Sequence, residues 1–275
     1  ATKYTADAVG SRVTASPQTG NVINYGWDQL RQLRSVTPGT FRTSAPGSWA
    51  HTLTVRADAT IAAFGSNSDG QLGDNTTTQR NAPVDVLKSA TQKLTDIRVA
   101  ATGGYHSAAI DNSGHLWTWG QNTYGQLGSA SAANPQKTAF QLTSPAALTN
   151  VAAVALGNVH SLALNSAGAV YAWGSNANGQ LGDNTTSPHT TPALVNTLSS
   201  GVVAIATSNN SSYAVKSDGT VWAWGRNDAG QLGDGTATQR LVPVQVSSVA
   251  GATAVSAGEF SAYALTTTGV KSWGL

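Results

Sequence analysis

Four stretches of this chain nearly copy one another: Gly65-SNSDGQLGDN, Gly120-QNTYGQLGSA, Gly174-SNANGQLGDN and Gly225-RNDAGQLGDG. No other feature constrains the fold as much, because a unit copied along a chain must bury itself against its own neighbours. Each copy follows an aromatic residue: Phe64, Trp119, Trp173 or Trp224. A fifth pair, Trp273-Gly274, comes last, and a degenerate sixth, Tyr25-Gly26, stands near the start. The anchors lie 39, 55, 54, 51 and 49 residues apart, the size of one four-stranded unit.

Inside a unit the apolar residues alternate with period two, which predicts strands. Val151–Leu156 reads as a short buried strand. His160–Leu164 and Ala169–Trp173 read as a hairpin closed by the turn NSAG. The turn recurs as DNSG, KSDG and TTTG, whose closing glycine supplies a positive φ. A fourth strand is expected around Pro83-Val84, Phe140-Gln141, Pro192-Ala193 and Val242-Pro243. Proline suits an outer edge, where a missing N–H is harmless. Six hairpins are predicted, beginning near Val13, Leu53, Ser107, Ser161, Tyr213 and Tyr263.

Four antiparallel strands repeated around an axis make an all-β fold, the β-propeller. We expect one propeller domain over residues 1–275, with a degenerate first repeat at 1–44 and clear repeats at 45–274. Six blades or partial blades are expected, with five or seven as alternatives. The last copy stops before its fourth strand, so either the two ends share closure or a C-terminal piece is missing.

The unit G-x-x-H-S-x-A-L…W-G-x-N-x-x-G-Q-L-G…P-x-x-V resembles the regulator of chromosome condensation repeat, clearly over residues 45–274. That resemblance implies a β-propeller, usually of seven blades. The family includes a nuclear exchange factor for a small GTPase and a plant UV-B photoreceptor. A secreted bacterial propeller that inhibits β-lactamases has related, shorter repeats. In that inhibitor the loops matching those discussed below contact the target enzyme.

Composition removes several functions. The chain has 275 residues, no Cys and a net charge of +2. Without Cys there is no thiolate zinc site and no cysteine nucleophile. The charge gives no broad basic footprint, so no nucleic-acid partner is expected. No apolar run reaches 18 residues, so no membrane insertion is expected. Low charge, absent thiols and abundant Ser, Thr and Asn suit a secreted, monomeric protein.

Candidate sites separate into repeated and variable positions. Aromatics at one repeat position in every copy predict packing between blades. The positions two before the anchors hold Ala62, Trp117, Tyr171, Trp222 and Lys271, too mixed for a stacked tryptophan cluster. His51, His106 and His160 share a repeat position and are expected to be structural, with a ring N–H bonding neighbouring backbone. His115 and His189 read as plain surface residues. The SNSDGQLGDN loops lack the glutamate of an EF-hand, so turn chemistry explains their Asn and Asp. No carboxylate pair, G-x-S-x-G elbow or P-loop is present, so no enzyme, catalytic residue, cofactor or metal is expected.

Repetition fails at one place, the connection before the histidine-bearing strand. It reads Ser48-Trp49-Ala50, Gly104-Tyr105, Asn158-Val159, Asn209-Asn210 and Glu259-Phe260. A scaffold carrying a grafted site has this contrast. Trp49, Tyr105, Asn158, Asn209, Asn210, Glu259 and Phe260 are therefore the expected partner-binding residues; Glu259 is the only glutamate in the chain. The favoured reading is a secreted, non-enzymatic binding scaffold, in its most concrete form an inhibitor of an extracellular enzyme. Alternatives are a carbohydrate-binding or glycan-cleaving propeller, a GTPase exchange factor, and a structural repeat module.

Overall fold

The computed structural model describes residues 51–275 apart from 146, 147 and 149, with the side chain of residue 196 also excluded. Of residues 1–50 it describes the strand backbones at 3–6, 12–16, 23–27 and 33–37. The described strands form six antiparallel sheets. The first holds β1 (Lys3–Ala6), β2 (Arg12–Ser16), β3 (Ile23–Trp27) and β4 (Leu33–Thr37). The second holds β5 (His51–Val55), β6 (Ile61–Gly65) and β7 (Arg80–Asp85). The third holds β8 (Ile97–Thr102), β9 (His106–Asp111), β10 (Leu116–Gly120) and β11 (Gln136–Leu142). The fourth holds β12 (Val151–Leu156), β13 (His160–Asn165), β14 (Val170–Gly174) and β15 (His189–Leu194). The fifth holds β16 (Val202–Thr207), β17 (Ser211–Lys216), β18 (Val221–Gly225) and β19 (Arg240–Gln245). The sixth holds β20 (Ala252–Ala257), β21 (Ser261–Thr266) and β22 (Gly269–Gly274).

All six predicted hairpins are present, as β2–β3, β5–β6, β9–β10, β13–β14, β17–β18 and β21–β22. The turn glycines Gly114, Gly168 and Gly219 take φ of +80 to +81°, the left-handed conformation that lets the strands reverse. The proline-bearing segments form β7, β15 and β19, each at a sheet edge where the missing N–H breaks no ladder. Among the described residues the only helix is one 3₁₀ turn, Asn196–Leu198.

Consecutive sheets stack with their first strands β8, β12, β16 and β20 in contact, which puts these strands on the inner side of the array. Each of the four junctions from the second sheet to the sixth repeats the same backbone contact. The first residue of the inner strand donates to the hairpin turn of the sheet before it. These bonds are Ile97 N–H to Ala59 O (2.9 Å), Val151 to Gly114 (3.0 Å), Val202 to Gly168 (3.1 Å) and Ala252 to Gly219 (3.0 Å). Arg98 clamps one junction further, its guanidinium donating to Asp111 O (3.1 Å) and to Val151 O of the next sheet.

Burial follows from stacking rather than from the sheet itself. Val55, Ile110, Leu164 and Val215 occupy one repeat position and all are buried. Leu265, the same position in the sixth sheet, is 51% exposed, and Val270 nearby is 67% exposed. Leu164→Ala should therefore cost roughly 2–5 kcal/mol, and Leu265→Ala about 1 kcal/mol or less. Urea denaturation of the two variants checks this; equal losses would refute burial by neighbouring sheets.

Candidate functional site

The loop preceding each histidine-strand position is fixed by the aromatic–glycine pair across the hairpin. Gly120, Gly174, Gly225 and Gly274 have φ between +91 and +105°. A Cβ on Gly120 would lie 2.7 Å from Tyr105 O. The residue after each glycine then donates to the loop: Gln121 N–H to Tyr105 O (3.0 Å), Ser175 to Val159 (2.9 Å), Arg226 to Asn210 (3.0 Å) and Leu275 to Phe260 (2.9 Å). The variable loops and the residues after the glycines therefore share one rim.

Neighbouring loops are also tied to each other. Gly104 N–H donates to Gly157 O (3.1 Å), and Asn158 N–H donates to Asn209 O (3.0 Å). Tyr105, Asn158, Asn209 and Asn210 are thereby brought into sequence along the rim. Tyr105 and Glu259 are exposed; Asn158, Asn209, Asn210 and Phe260 are half-buried. Trp49 lies outside the described residues.

The rim holds charged groups that the loop comparison missed. The Arg226 guanidinium sits over the Phe260 ring, 5.2 Å from its centroid, and joins the fifth sheet to the sixth by a cation–π contact. Its Nη2 pairs with Asp228 Oδ2 at 2.5 Å. The Asp228 carboxylate, with Glu259 adding to it, raises the guanidinium pKa, while Arg226 holds Asp228 below the usual carboxylate range. On the other side Gln121 Nε2 donates to Asp69 Oδ1 (2.9 Å), bridging the third sheet to the second. The signal for Gln121 and Arg226 was present in the chain: the residue after the glycine reads Ser66, Gln121, Ser175, Arg226 and Leu275, as variable as the loops themselves.

The repeated polar residues turn inward instead. The aromatics Trp119, Trp173 and Trp224 are buried between sheets, as expected; Phe64 is partly exposed. The histidines are structural, and each Nε2 meets a serine hydroxyl of the next sheet where a backbone partner was expected. His51 Nε2 meets Ser107 Oγ of the next sheet (2.8 Å), His106 meets Ser161 (2.8 Å) and His160 meets Ser212 (3.0 Å). Each serine donates onward to a main-chain oxygen, that of Gln71, Gln126 or Gln180. The serine O–H is thus spent, so the histidine Nε2 donates, and burial, which pushes each imidazole down to about 3, keeps the ring neutral.

His115 is exposed between strands, as expected, while His189 is half-buried at the start of β15, and both are paired with carboxylates. His115 Nδ1 lies 2.9 Å from Asp111 Oδ2, and His189 Nε2 lies 2.9 Å from Asp183 Oδ2. His189 stands where Arg80 and Arg240 pair with Asp74 and Asp234, both at 2.7 Å. The loop asparagines have local work: Asn67 Oδ1 accepts from Leu72 N–H (2.9 Å), and Asn67 Nδ2 donates to Asp74 Oδ1 (3.0 Å). Asn176 and Asn227 repeat both bonds. Turn chemistry therefore accounts for these side chains. Among the described residues no three metal-ligating groups converge.

Stacked four-stranded sheets joined through W-G-x-N-x-x-G-Q-L-G loops have a counterpart among known proteins. The RCC1-like domain model matches residues 10–275. The chain belongs to the RCC1-like domain family. It is 32% identical over 237 residues to the probable E3 ubiquitin-protein ligase HERC6 of Homo sapiens, covering 82% of this chain and 22% of that protein. It is 30% identical over 200 residues to the ultraviolet-B receptor UVR8 of Arabidopsis thaliana, covering 72% of this chain and 44% of that one. This RCC1-like chain thus spans less than half the length of either relative. Among solved structures, human WBSCR16 has a TM-score of 0.70 at 20% identity, covering 94% of this chain and 62% of that one. Yeast RCC1 (Prp20) bound to Kap60 has a TM-score of 0.67 at 21% identity, covering 82% and 54%. These likenesses show the fold.

Proposed function

We propose that this RCC1-like chain is a non-enzymatic scaffold that binds a protein partner through the rim carrying Tyr105, Asn158, Asn209, Asn210, Glu259 and Phe260. The observation that carries the reading is the loss of repetition at one rim of a repetitive frame, which carries exposed Tyr105 at the third sheet and the held Arg226–Asp228 pair beside Phe260 at the fifth and sixth. Tyr105 and Phe260 supply apolar anchors, and Arg226, held over Phe260 by Asp228 and the ring itself, supplies a preorganised polar contact. Relatives support a binding role: one solved structure shows yeast RCC1 bound to Kap60.

In its most specific form the proposal has the chain secreted and occluding an extracellular enzyme. Low charge, absent Cys and abundant Ser, Thr and Asn support secretion. A glycan-cleaving reading fits less well. A general acid needs a raised pKa, and every carboxyl with a displaced pKa among the described residues is displaced downward.

The test is affinity capture from the producing organism's secretions, followed by titration of the captured partner. Tyr105→Ala and Phe260→Ala should each weaken binding by at least ~2 kcal/mol, roughly 30-fold. Undiminished affinity in both variants would reject this rim. A glycan array that retains the chain would favour the carbohydrate alternative.

A further inference from the structure

Each GQLG loop carries a buried glutamine: Gln71, Gln126, Gln180 and Gln231. Its side chain does two things at the rim. The Oε1 accepts from the amide of the residue before the loop glycine: Asp69 (2.9 Å), Tyr124 (2.9 Å), Asn178 (2.8 Å) and Ala229 (2.8 Å). That bond sets the direction of the amide group, and the Nε2 is left facing residues that differ between copies. In three copies one of those residues supplies the oxygen that Nε2 needs: Ser66 Oγ (3.5 Å), Gln121 Oε1 (3.0 Å) and Asp228 Oδ1 (3.2 Å).

The fourth copy breaks the pattern. Among the described residues Gln180 Nε2 meets no acceptor, although the atom is buried. Ser175 holds the place of Ser66 and Gln121 without bonding to it. Ala177 holds the place of Asp228 and has no side-chain oxygen. An unpaired buried donor is destabilising, and an oxygen brought from outside relieves it. The position lies within the rim. A Cβ on Gly225 would stand 3.3 Å from Gln180 Cα and 2.5 Å from Asn210 O, which places the glutamine beside the Asn210 loop. The fifth sheet shows how an oxygen arrives from solvent. The Asp228 side chain is 57% exposed and still reaches Nε2 of buried Gln231. Exposed Ala177 leaves the corresponding approach clear in the fourth sheet.

We propose that Gln180 Nε2 is a subsite of the rim, filled by an Asp or Glu side chain of the protein partner entering over Ala177. This rests on the rim reading above and adds the chemistry of one contact. The partner's carboxylate takes the place that Asp228 holds in the fifth sheet, where the acceptor reaching in from the solvent side is itself a carboxylate. A hydrogen bond to an ionised acceptor is the stronger kind, and here it meets a donor with no competing partner in the free chain. The subsite lies between the third sheet, which bears Tyr105, and the fifth and sixth, which bear Arg226 and Phe260. Its occupant is therefore central to the face.

Ala177→Asp tests the proposal on the full chain, because it supplies the missing oxygen from within. Its melting temperature should rise by about 2 °C or more, whereas Ala177→Leu, of similar bulk and without an acceptor, should show no rise. Acetate is the probe for the partner's side chain. Titration with sodium acetate, against sodium chloride at matched ionic strength, should move the side-chain amide resonances of Gln180 saturably. Acetamide should move them less than acetate, and acetate should move them about tenfold less in Ala177→Asp. The protein captured through the rim should bind Ala177→Asp about tenfold more weakly or worse. The proposal is overturned if Ala177→Asp gains no stability, which would mean that the amide is already satisfied. It is also overturned if acetate moves the resonances no more than chloride or acetamide does, or if Ala177→Asp binds the captured protein as the parent does. The melting and acetate measurements need no partner, so they can fail while Tyr105→Ala and Phe260→Ala still weaken binding. The rim reading falls only if those two variants bind undiminished.

Discussion

Trp173→Ala should destabilise the protein by about 3–5 kcal/mol, the range for truncating a fully buried tryptophan. The indole is buried between the third and fourth sheets, among Ile110, Leu116 and Leu142 of one and Val154 and Ala163 of the other. Its Nε1–H donates to Gln126 O at 2.9 Å, so truncation also withdraws one donor from a buried carbonyl. Collapse around the void is restricted because the surrounding residues belong to two separate sheets whose backbones are hydrogen-bonded to each other. Phe64→Ala is the internal control. It removes an aromatic from the same repeat position, but Phe64 is 37% exposed, and a loss nearer ~1 kcal/mol is expected. Urea midpoints at constant m-value measure both. Equal losses would show that repeat position, rather than burial between sheets, sets the energy.

Acid should unfold the protein well above the pH at which carboxylates protonate. Burial pushes His51, His106 and His160 each down to about 3, from 6.5 when exposed. The sign follows from proton counts. Between pH 6.5 and 3 the unfolded chain binds protons that the folded chain refuses, so stability is complete above pH 6.5 and falls as pH drops through that window. Each histidine loses on the order of 1 kcal/mol per pH unit, and three together on the order of 4. The lowered Asp carboxyls also favour the folded state at neutral pH, but their contribution is lost only below pH 4 or so. The upper part of the window therefore isolates the histidines. Replacing His106 and His160 with Gln keeps a donor toward Ser161 and Ser212 while removing the titration. That variant should lose less stability than the parent between pH 6.5 and 5, as read from urea midpoints at each pH. An unchanged slope would refute the account.

Much of the fold was legible because its cause is local. A turn that needs positive φ leaves a glycine in the text, as at Gly114, Gly168 and Gly219, and a half-buried strand leaves alternation, as in His160–Leu164. The rim was legible for the opposite reason, since departures from a repeat are as visible as the repeat. Pairings that cross between sheets were harder. His106 and Ser161 lie 55 positions apart, and nothing near either residue names the other. Phe260 and Arg226 were both in view as letters, but their contact depends on how the fifth sheet sits beside the sixth. His189 was misread because its partner, Asp183, belongs to a loop whose Asp was credited to turn formation alone.

The carbonyls of Gln71, Gln126, Gln180 and Gln231 bear on how such a molecule can grow. Each accepts an indole N–H from the following sheet: Trp119, Trp173, Trp224 or Trp273. The receiving half of every junction is thus a main-chain atom, the same in any sequence that keeps the loop's path. For this bond recognition rests on the later unit and the earlier one offers its backbone, whereas the histidine–serine pairs take a side chain from each unit. A unit duplicated or exchanged in the gene arrives with its own tryptophan and finds the acceptor already in place, whichever unit precedes it. The last junction shows the latitude: it has no histidine–serine pair, and Tyr213 Oη instead donates to Gln231 O at 2.9 Å. Chains built this way can change in length by whole units while the rim loops diverge independently.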